Sequence, residues 1–416
     1  MRLNLLDTKI KFLAAAAAVL PFVLASPPAL YSEVKVTPVG SISALGGKYY
    51  LDSEAASFNG RFDAFLSPAL KLGESSDLIP VYSGNYSGTQ DIQELAGGGV
   101  LTRQRQTHTV SLKYVYTDEF DKYKPRVSYS KAAIKETKDE QWGKGLFDYA
   151  TLSFGFEAEQ ERPRGTFTES YDFYQVAYPN FSTLLSRSQS VFNDTDTFNQ
   201  LSQNAGTDTM DNTSHRLALG YTWFPDPLVM QAGYDVTYRL YGDQALAANP
   251  AVGQSPFKSD KRADVIQNLN FRATRTLRPL QLSAAARVAY LASNQASYDS
   301  SAFKYMSDYY SYVEFGFAPA VNFVFKSGAQ FGLTLDWSRL YYLGRLKQDE
   351  GGNYFPSKIN QTVWLSSLSV RLPVYKKLFT RAVYNYQLSS SNMRYEANYR
   401  YNYRANTYLA GLEWEF

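Results

Sequence analysis

The sequence predicts an all-β fold: a transmembrane antiparallel up-and-down β-barrel of about 16 strands, within bounds of roughly 14 to 18. Three observations carry this expectation. Period-two alternation of apolar and polar residues runs from about residue 34 to the last residue, the repeat of a strand and not of a helix. The chain has 34 Tyr and 26 Phe, yet its mean hydropathy is −0.35. That combination fits a wall in which only alternate residues meet lipid and aromatics gather in girdles at the two interfaces. Finally, no uninterrupted apolar stretch after residue 25 reaches the ~20 residues a spanning helix needs.

The elements begin with an export signal. Arg2, Lys9 and Lys11 form a positive n-region, Phe12 to Leu24 an apolar h-region, and Val23 and Ala25 occupy the −3 and −1 positions of a cleavage site. An N-terminal membrane anchor is the competing reading, but the apolar run falls short of the ~20 residues it needs. The expected organisation is a signal peptide over 1–25, a short periplasmic lead-in over 26–33 and a barrel over 34–416. The whole chain carries +3, and removing 1–25, with its three bases and Asp7, leaves the remainder near neutral. A near-neutral chain has no electrostatic footprint for nucleic acid. With no cysteine there is no disulfide framework, thiolate metal site or lipoprotein cysteine.

Strands are expected over 34–52, 58–72, 77–90, 104–117, 124–136, 146–161, 166–178, 213–224, 228–242, 262–276, 279–296, 307–326, 329–345, 358–374, 377–392 and 402–416. Some read residue by residue. Leu217, Leu219, Tyr221 and Trp223 share one face, with Arg216, Ala218, Gly220 and Thr222 on the other. Leu282, Ala284, Ala286, Val288 and Tyr290 likewise oppose Gln281, Ser283, Ala285 and Arg287. A soluble sandwich also alternates, so spacing decides between the two. Links such as 73–76, 162–165, 225–227 and 375–376 are tight. They alternate with longer polar ones at 91–103, 137–145, 179–212, 243–261, 297–306, 346–357 and 393–401. Short periplasmic turns alternating with longer outer loops are the asymmetry of an outer-membrane barrel, and an even strand count puts both ends of the barrel on the periplasmic side.

The final residues, Tyr408 to Phe416, resemble the C-terminal assembly signal of bacterial outer-membrane proteins. Gly411, Trp414 and Phe416 match its glycine followed by aromatics at the third and fifth positions, whereas Leu409 stands where a polar residue is preferred. The resemblance is to outer-membrane β-barrels as a class, of the porin-like kind, and implies an outer-membrane location and recognition of the last strand by the assembly machinery. In lipid every backbone polar group needs an internal partner, so strand 34–52 must pair with 402–416. The barrel fills the mature chain, leaving no segment for a plug domain, which favours a passive pore.

By strand parity the lumen-lining charges are expected to include Arg216, Asp235, Arg239, Arg272, Arg287, Glu314, Asp336, Arg371 and Arg381. Lys71, Lys113, Arg126, Asp63, Glu157, Glu159, Glu413 and Glu415 join them. Inward placement is favoured because Arg or Lys facing lipid at the midplane costs about 2–4 kcal/mol. These charges either form a constriction with a transverse field or pair with one another along a wet wall. Loop 179–212, with Leu184, Leu185, Val191 and Phe192 amid polar residues, is a second constriction candidate. In general 16-stranded porins the inward loop follows the fifth strand; here that link is short.

Other motifs are weaker. Gly97, Gly98 and Gly99 read as a flexible loop, since no GKS or GKT follows. Pro68 and Pro319 fall inside strands and mark local kinks. The two histidines, His108 and His215, take outward parity on strands that are not neighbours, and no HExxH, GxSxG or DxDxDG motif occurs. Asp194, Asp196 and Asp208 could offer oxygens to calcium but lack an EF-hand glycine and terminal glutamate, so they read as loop solvation. The sequence therefore predicts no catalytic, cofactor or metal site. It predicts a porin-like passive channel for small hydrophilic solutes; the alternative is a non-conducting surface or structural barrel that displays its loops. Partners are the lipid bilayer, the assembly machinery and small solutes, with room for a homo-oligomer.

Overall fold

The computed structural model describes residues 35–52, 57–93, 100–135, 140–181, 208–248, 257–299, 304–396 and 400–416. The signal peptide and lead-in, the triple glycine and most of loop 179–212, with Leu184, Leu185, Val191, Phe192, Asp194 and Asp196, lie outside these residues. Eighteen hydrogen-bonded segments form one sheet that closes on itself as sixteen antiparallel strands, because the first two strands are each broken once. There is no helix among the described residues.

The strands are β1 (Lys35–Thr37 with Gly40–Leu51), β2 (Ser57–Leu66 with Ala69–Lys71), β3 (Ser76–Gln93), β4 (Val100–Thr117), β5 (Asp121–Lys135) and β6 (Tyr149–Arg162). Next come β7 (Gly165–Ala177), β8 (Asn212–Trp223), β9 (Leu228–Ala247), β10 (Phe257–Leu277) and β11 (Leu280–Ser293). The wall is completed by β12 (Tyr312–Val324), β13 (Gln330–Gln348), β14 (Tyr354–Tyr375), β15 (Leu378–Ser391) and β16 (Tyr403–Glu415). Each strand pairs with its sequence neighbour. β1 closes on β16 in a register running from Ser41 opposite Glu415 to Leu51 opposite Ala405. Beyond it the Phe416 N–H donates to the Gly40 carbonyl at 3.0 Å, and the Gly40 N–H returns a bond to Phe416 at 3.2 Å.

Proline accounts for the breaks. Pro38 and Pro68 sit where β1 and β2 are interrupted, bridged by the Ser67 N–H donating to the Val39 carbonyl at 2.7 Å. Pro319 stays within β12, but the β12–β13 ladder skips from Phe317 to Ala320 around it. A residue without an N–H is tolerated in a sheet where the ladder gives way.

Three expected loops are shorter than the alternation suggests. β3 continues to Gln93 and β4 starts at Val100; β9 continues to Ala247 and β10 starts at Phe257; β13 continues to Gln348 and β14 starts at Tyr354. Bulges or register shifts between Thr89 and Ile92, Leu240 and Ala245, and Tyr341 and Leu346 mark the change. Beyond them both faces leave lipid, so the backbone ladder goes on while its two-sided pattern stops. In the other direction, β6 starts at Tyr149 and β12 at Tyr312, later than expected, and the link before β12 holds a small hairpin, Ser297–Asp299 with Lys304–Met306.

The wall has two unlike faces. Across β8 to β12 the registered row Leu219, Tyr234, Leu269, Val288 and Phe315 is exposed on the outside. The adjacent row, Ala218, Asp235, Asn268, Ala289 and Glu314, faces the other way, into the lumen. Exposed aromatics mark both rims of the outer surface: Tyr116, Phe323, Phe331 and Trp414 toward the short turns, and Tyr50, Tyr238, Tyr290 and Tyr341 toward the long loops.

Candidate functional site

The lumenal face is a wall of paired charges. On β5 and β6, Lys122 donates to Glu159 and Glu161 at 3.0 Å each, and Lys124 donates to Glu157 at 2.8 Å and to Glu159. Arg126 donates to Glu157 at 2.9 Å and through Nε and Nη2 to Asp172 on β7, two strands away, at 3.0 and 2.7 Å. Gly155 makes that reach feasible. It lies between Arg126 and Asp172 in register, and a Cβ there would sit 2.7 Å from Arg126 Nε.

The same device recurs farther round the wall. Arg287 on β11 passes over Gly316 on β12 to reach Asp336 on β13 at 3.1 Å, and also approaches Glu314 at 3.4 Å. A Cβ on Gly316 would lie 2.6 Å from the guanidinium carbon. Arg371 donates to Glu413 at 3.0 Å and to Glu415 at 2.5 Å, and Arg381 donates to Glu413 at 3.3 Å. Arg216 approaches Asp235 at 3.4 Å, which also accepts from Asn268 at 3.0 Å. Asp63 pairs with Arg61 on its own strand at 2.7 Å.

Several charges named from sequence thus meet partners that sequence does not name: Lys122, Lys124, Arg61 and Asp172. Others stand apart. Arg239 lies against the hydroxyls of Tyr174 and Tyr241 with its Nε buried and unpartnered, while Arg272 is exposed and joins no salt bridge among the described residues. Lys71 is exposed opposite Asp77 at the short-turn end, and Lys113 lies near Glu157. The arginines of β8 to β11 do not form one uncompensated row, since Arg216 and Arg287 are each neutralised by carboxylates.

Both histidines point outward. His108 Nδ1 lies 3.0 Å from the Tyr82 hydroxyl and His215 Nδ1 lies 2.7 Å from that of Tyr171, each on a neighbouring strand. Among the described residues no three His, Asp or Glu side chains converge as a metal site would.

A closed sheet with an apolar outside between two aromatic rims and an ionic inside has its solvents arranged for a bilayer. The chain is an outer-membrane β-barrel. Its turns are short at one end and its links longer at the other, the asymmetry that places the short turns on the periplasmic side in outer-membrane barrels. No family model and no curated protein matches the sequence. Among solved structures, the trimer form of OmpT from Vibrio cholerae matches with a TM-score of 0.45 and 11% identity, over 92% of this chain and 100% of that one. OpdK from Pseudomonas aeruginosa matches with 0.46 and 7%, over 91% and 99%; CdiB from Acinetobacter baumannii with 0.46 and 8%, over 91% and 60%. Likeness at this level carries nothing about activity.

Above the outer rim the barrel builds an aromatic and cationic layer absent from the sequence reading. Arg262 pairs with the fully buried Asp264 at 2.9 Å and lies between the rings of Tyr241 and Tyr310, at 4.6 and 4.4 Å. Burial pushes the Tyr310 phenol above its ordinary range. Arg345 stacks on Tyr342 and Tyr309 at 4.3 and 4.5 Å and donates from Nε to the Tyr309 carbonyl at 3.1 Å. Beside it Ile359, Met393 and Tyr401 form a small buried cluster under a cavity of about 800 Å³. The longest outer link is strapped at its base: Asp211 accepts from the Tyr178 N–H at 2.7 Å, and burial raises its carboxyl above the usual range.

Proposed function

We propose that the barrel is a porin-like passive channel for small hydrophilic solutes. The observation that supports this best is the solvent access of ion-paired side chains on the inner wall. Arg216, Arg287 and Arg381 remain 42%, 35% and 37% accessible although they face inward from different sectors of the barrel. Charged groups keep such access only where water reaches them, and sixteen strands leave room for it. Because most of the wall's arginines are already matched by carboxylates, the filter acts through pore width and local dipoles more than through net charge.

The decisive experiment is single-channel recording in planar bilayers with the refolded full-length protein. Stepwise conductance in KCl is expected, and Arg287→Glu is expected to move the reversal potential in a salt gradient toward cation preference. A folded barrel that does not conduct would replace this reading with the structural one. We further propose that Gly411, Trp414 and Phe416 present the last strand to the assembly machinery. Phe416→Ala should lower the amount of folded barrel in cells while sparing refolding in detergent; equal cellular levels would remove that role.

A further inference from the structure

The outer cavity has a composition unlike the rest of the lumen. Among the described residues five tyrosines line it: Tyr309, Tyr342, Tyr354, Tyr395 and Tyr401. Among the described lining residues there is one base, Arg345, and one acid, Asp299, so their formal charges cancel. Asp299 accepts from the Tyr354 hydroxyl at 2.7 Å. Gln348 uses its amide N–H to bind the Gly352 carbonyl at 2.8 Å, which leaves its amide oxygen as an acceptor. The floor is the apolar cluster of Ile359, Met393 and Tyr401, and it fixes the β14 end and the β15–β16 link in place. The volume of about 800 Å³ lies within the range of about 300–1,000 Å³ common for small-molecule sites.

Flat rings, mixed donors and acceptors, and a cancelled charge select among solute classes. A small organic anion would gain Arg345 but also meet Asp299. A purely aromatic solute would cover the rings while offering nothing to the Arg345 guanidinium or the Gln348 amide oxygen, which is costly where water is displaced. A saccharide satisfies all three features: its C–H faces lie on aromatic rings, and its hydroxyls both donate and accept. We propose that this cavity is a docking subsite for neutral oligosaccharides of about two or three units, held before they pass into the pore. Passage into the pore after docking rests on the channel reading; the binding itself does not.

The test uses the refolded full-length barrel in detergent, with folding checked by heat-modifiable electrophoretic mobility. Maltotriose and cellotriose, trigalacturonate and benzoate are titrated by calorimetry and by saturation-transfer NMR. Saturable binding of at least one neutral trisaccharide is expected, more tightly than trigalacturonate or benzoate. Tyr395→Ala should raise its Kd at least tenfold. Gly351→Trp, a change at an exposed turn residue that lines the cavity without touching the apolar cluster, should do the same if Tyr395→Ala fails to fold. Absence of saturable binding by both neutral probes, a tighter fit for either anion, or an unchanged Kd in the folded variants would overturn the proposal. Conductance without sugar binding would remove this proposal alone, and sugar binding by a barrel that does not conduct would remove the channel reading alone.

Discussion

Closing the barrel depends on two glycines where β1 meets β16. A Cβ on Gly411 would fall onto the Ala44 carbonyl, with Leu45 Cα only 2.9 Å away; one on Gly47 would fall onto the Tyr408 carbonyl, with its carbonyl carbon at 2.7 Å. Carbon atoms in contact settle at about 3.5 Å or more, so alanine at either position must push the two strands apart by at least roughly 0.6 Å. The flanking ladder bonds have no water to replace them. Losing two at about 0.5–1.5 kcal/mol each, with about 1–3 kcal/mol of overpacking strain, gives a cost of about 2–6 kcal/mol. Gly411→Ala and Gly47→Ala should therefore lower the urea midpoint of the barrel in lipid vesicles, followed by tryptophan fluorescence. Gly73→Ala and Gly242→Ala, whose added Cβ would meet nothing within 4 Å, should stay within about 0.5 kcal/mol of wild type. If the seam variants unfold with the controls, the close approach of β1 and β16 does not limit what fits there.

The bridges over glycine make a second expectation: Gly316→Val should cost about 1–3 kcal/mol in the same assay, and much less in an Arg287→Ala background, because the obstruction is to Arg287. Equal costs in both backgrounds would place the strain elsewhere. Leu269→Arg puts a guanidinium on a lipid-exposed site of β10 and should cost about 2–4 kcal/mol, against little effect in detergent. A comparable loss in both media would argue that Leu269 does not face lipid. At the long link, the Asp211 carboxyl binds its proton more tightly folded than unfolded, so its stabilising contribution is full at low pH and is lost as pH rises through its raised folded pKa. Amide exchange at Tyr178, corrected for intrinsic rate, should be slower near pH 4 than near pH 7, and Asp211→Asn should abolish the difference; a persisting difference would assign it to another group.

Period two was legible wherever lipid and water face each other across the wall. Leu217 to Trp223 needed nothing beyond their own alternation to be oriented, because one slip of register would put Arg216 in the bilayer. Outside the bilayer that constraint disappears. The ladder then runs on as far as Ala247 and Gln348 without a two-sided pattern, which is why those strand ends read as loops. Arg262 and Arg345 escaped notice for the same reason: they lie within the register shifts, and only the fold brings Tyr309, Tyr310 and Tyr342 around them. Parity assigns a charge to a face but not to a partner. That Arg126 reaches Asp172 depends on an intervening glycine in register, a coincidence of three strands that no single segment displays.

Gly155 and Gly316 bear on the mechanics of the tube. An ion pair between adjacent strands merely repeats what the ladder already holds, whereas Arg126 to Asp172 and Arg287 to Asp336 each clasp a strand from inside, like staves bound by a hoop. Such clasps resist changes in the angle between three staves at once, so they oppose flattening of the cross-section under lateral pressure. The wall then carries its own bracing across β5 to β7 and β11 to β13, beyond what the backbone ladder supplies.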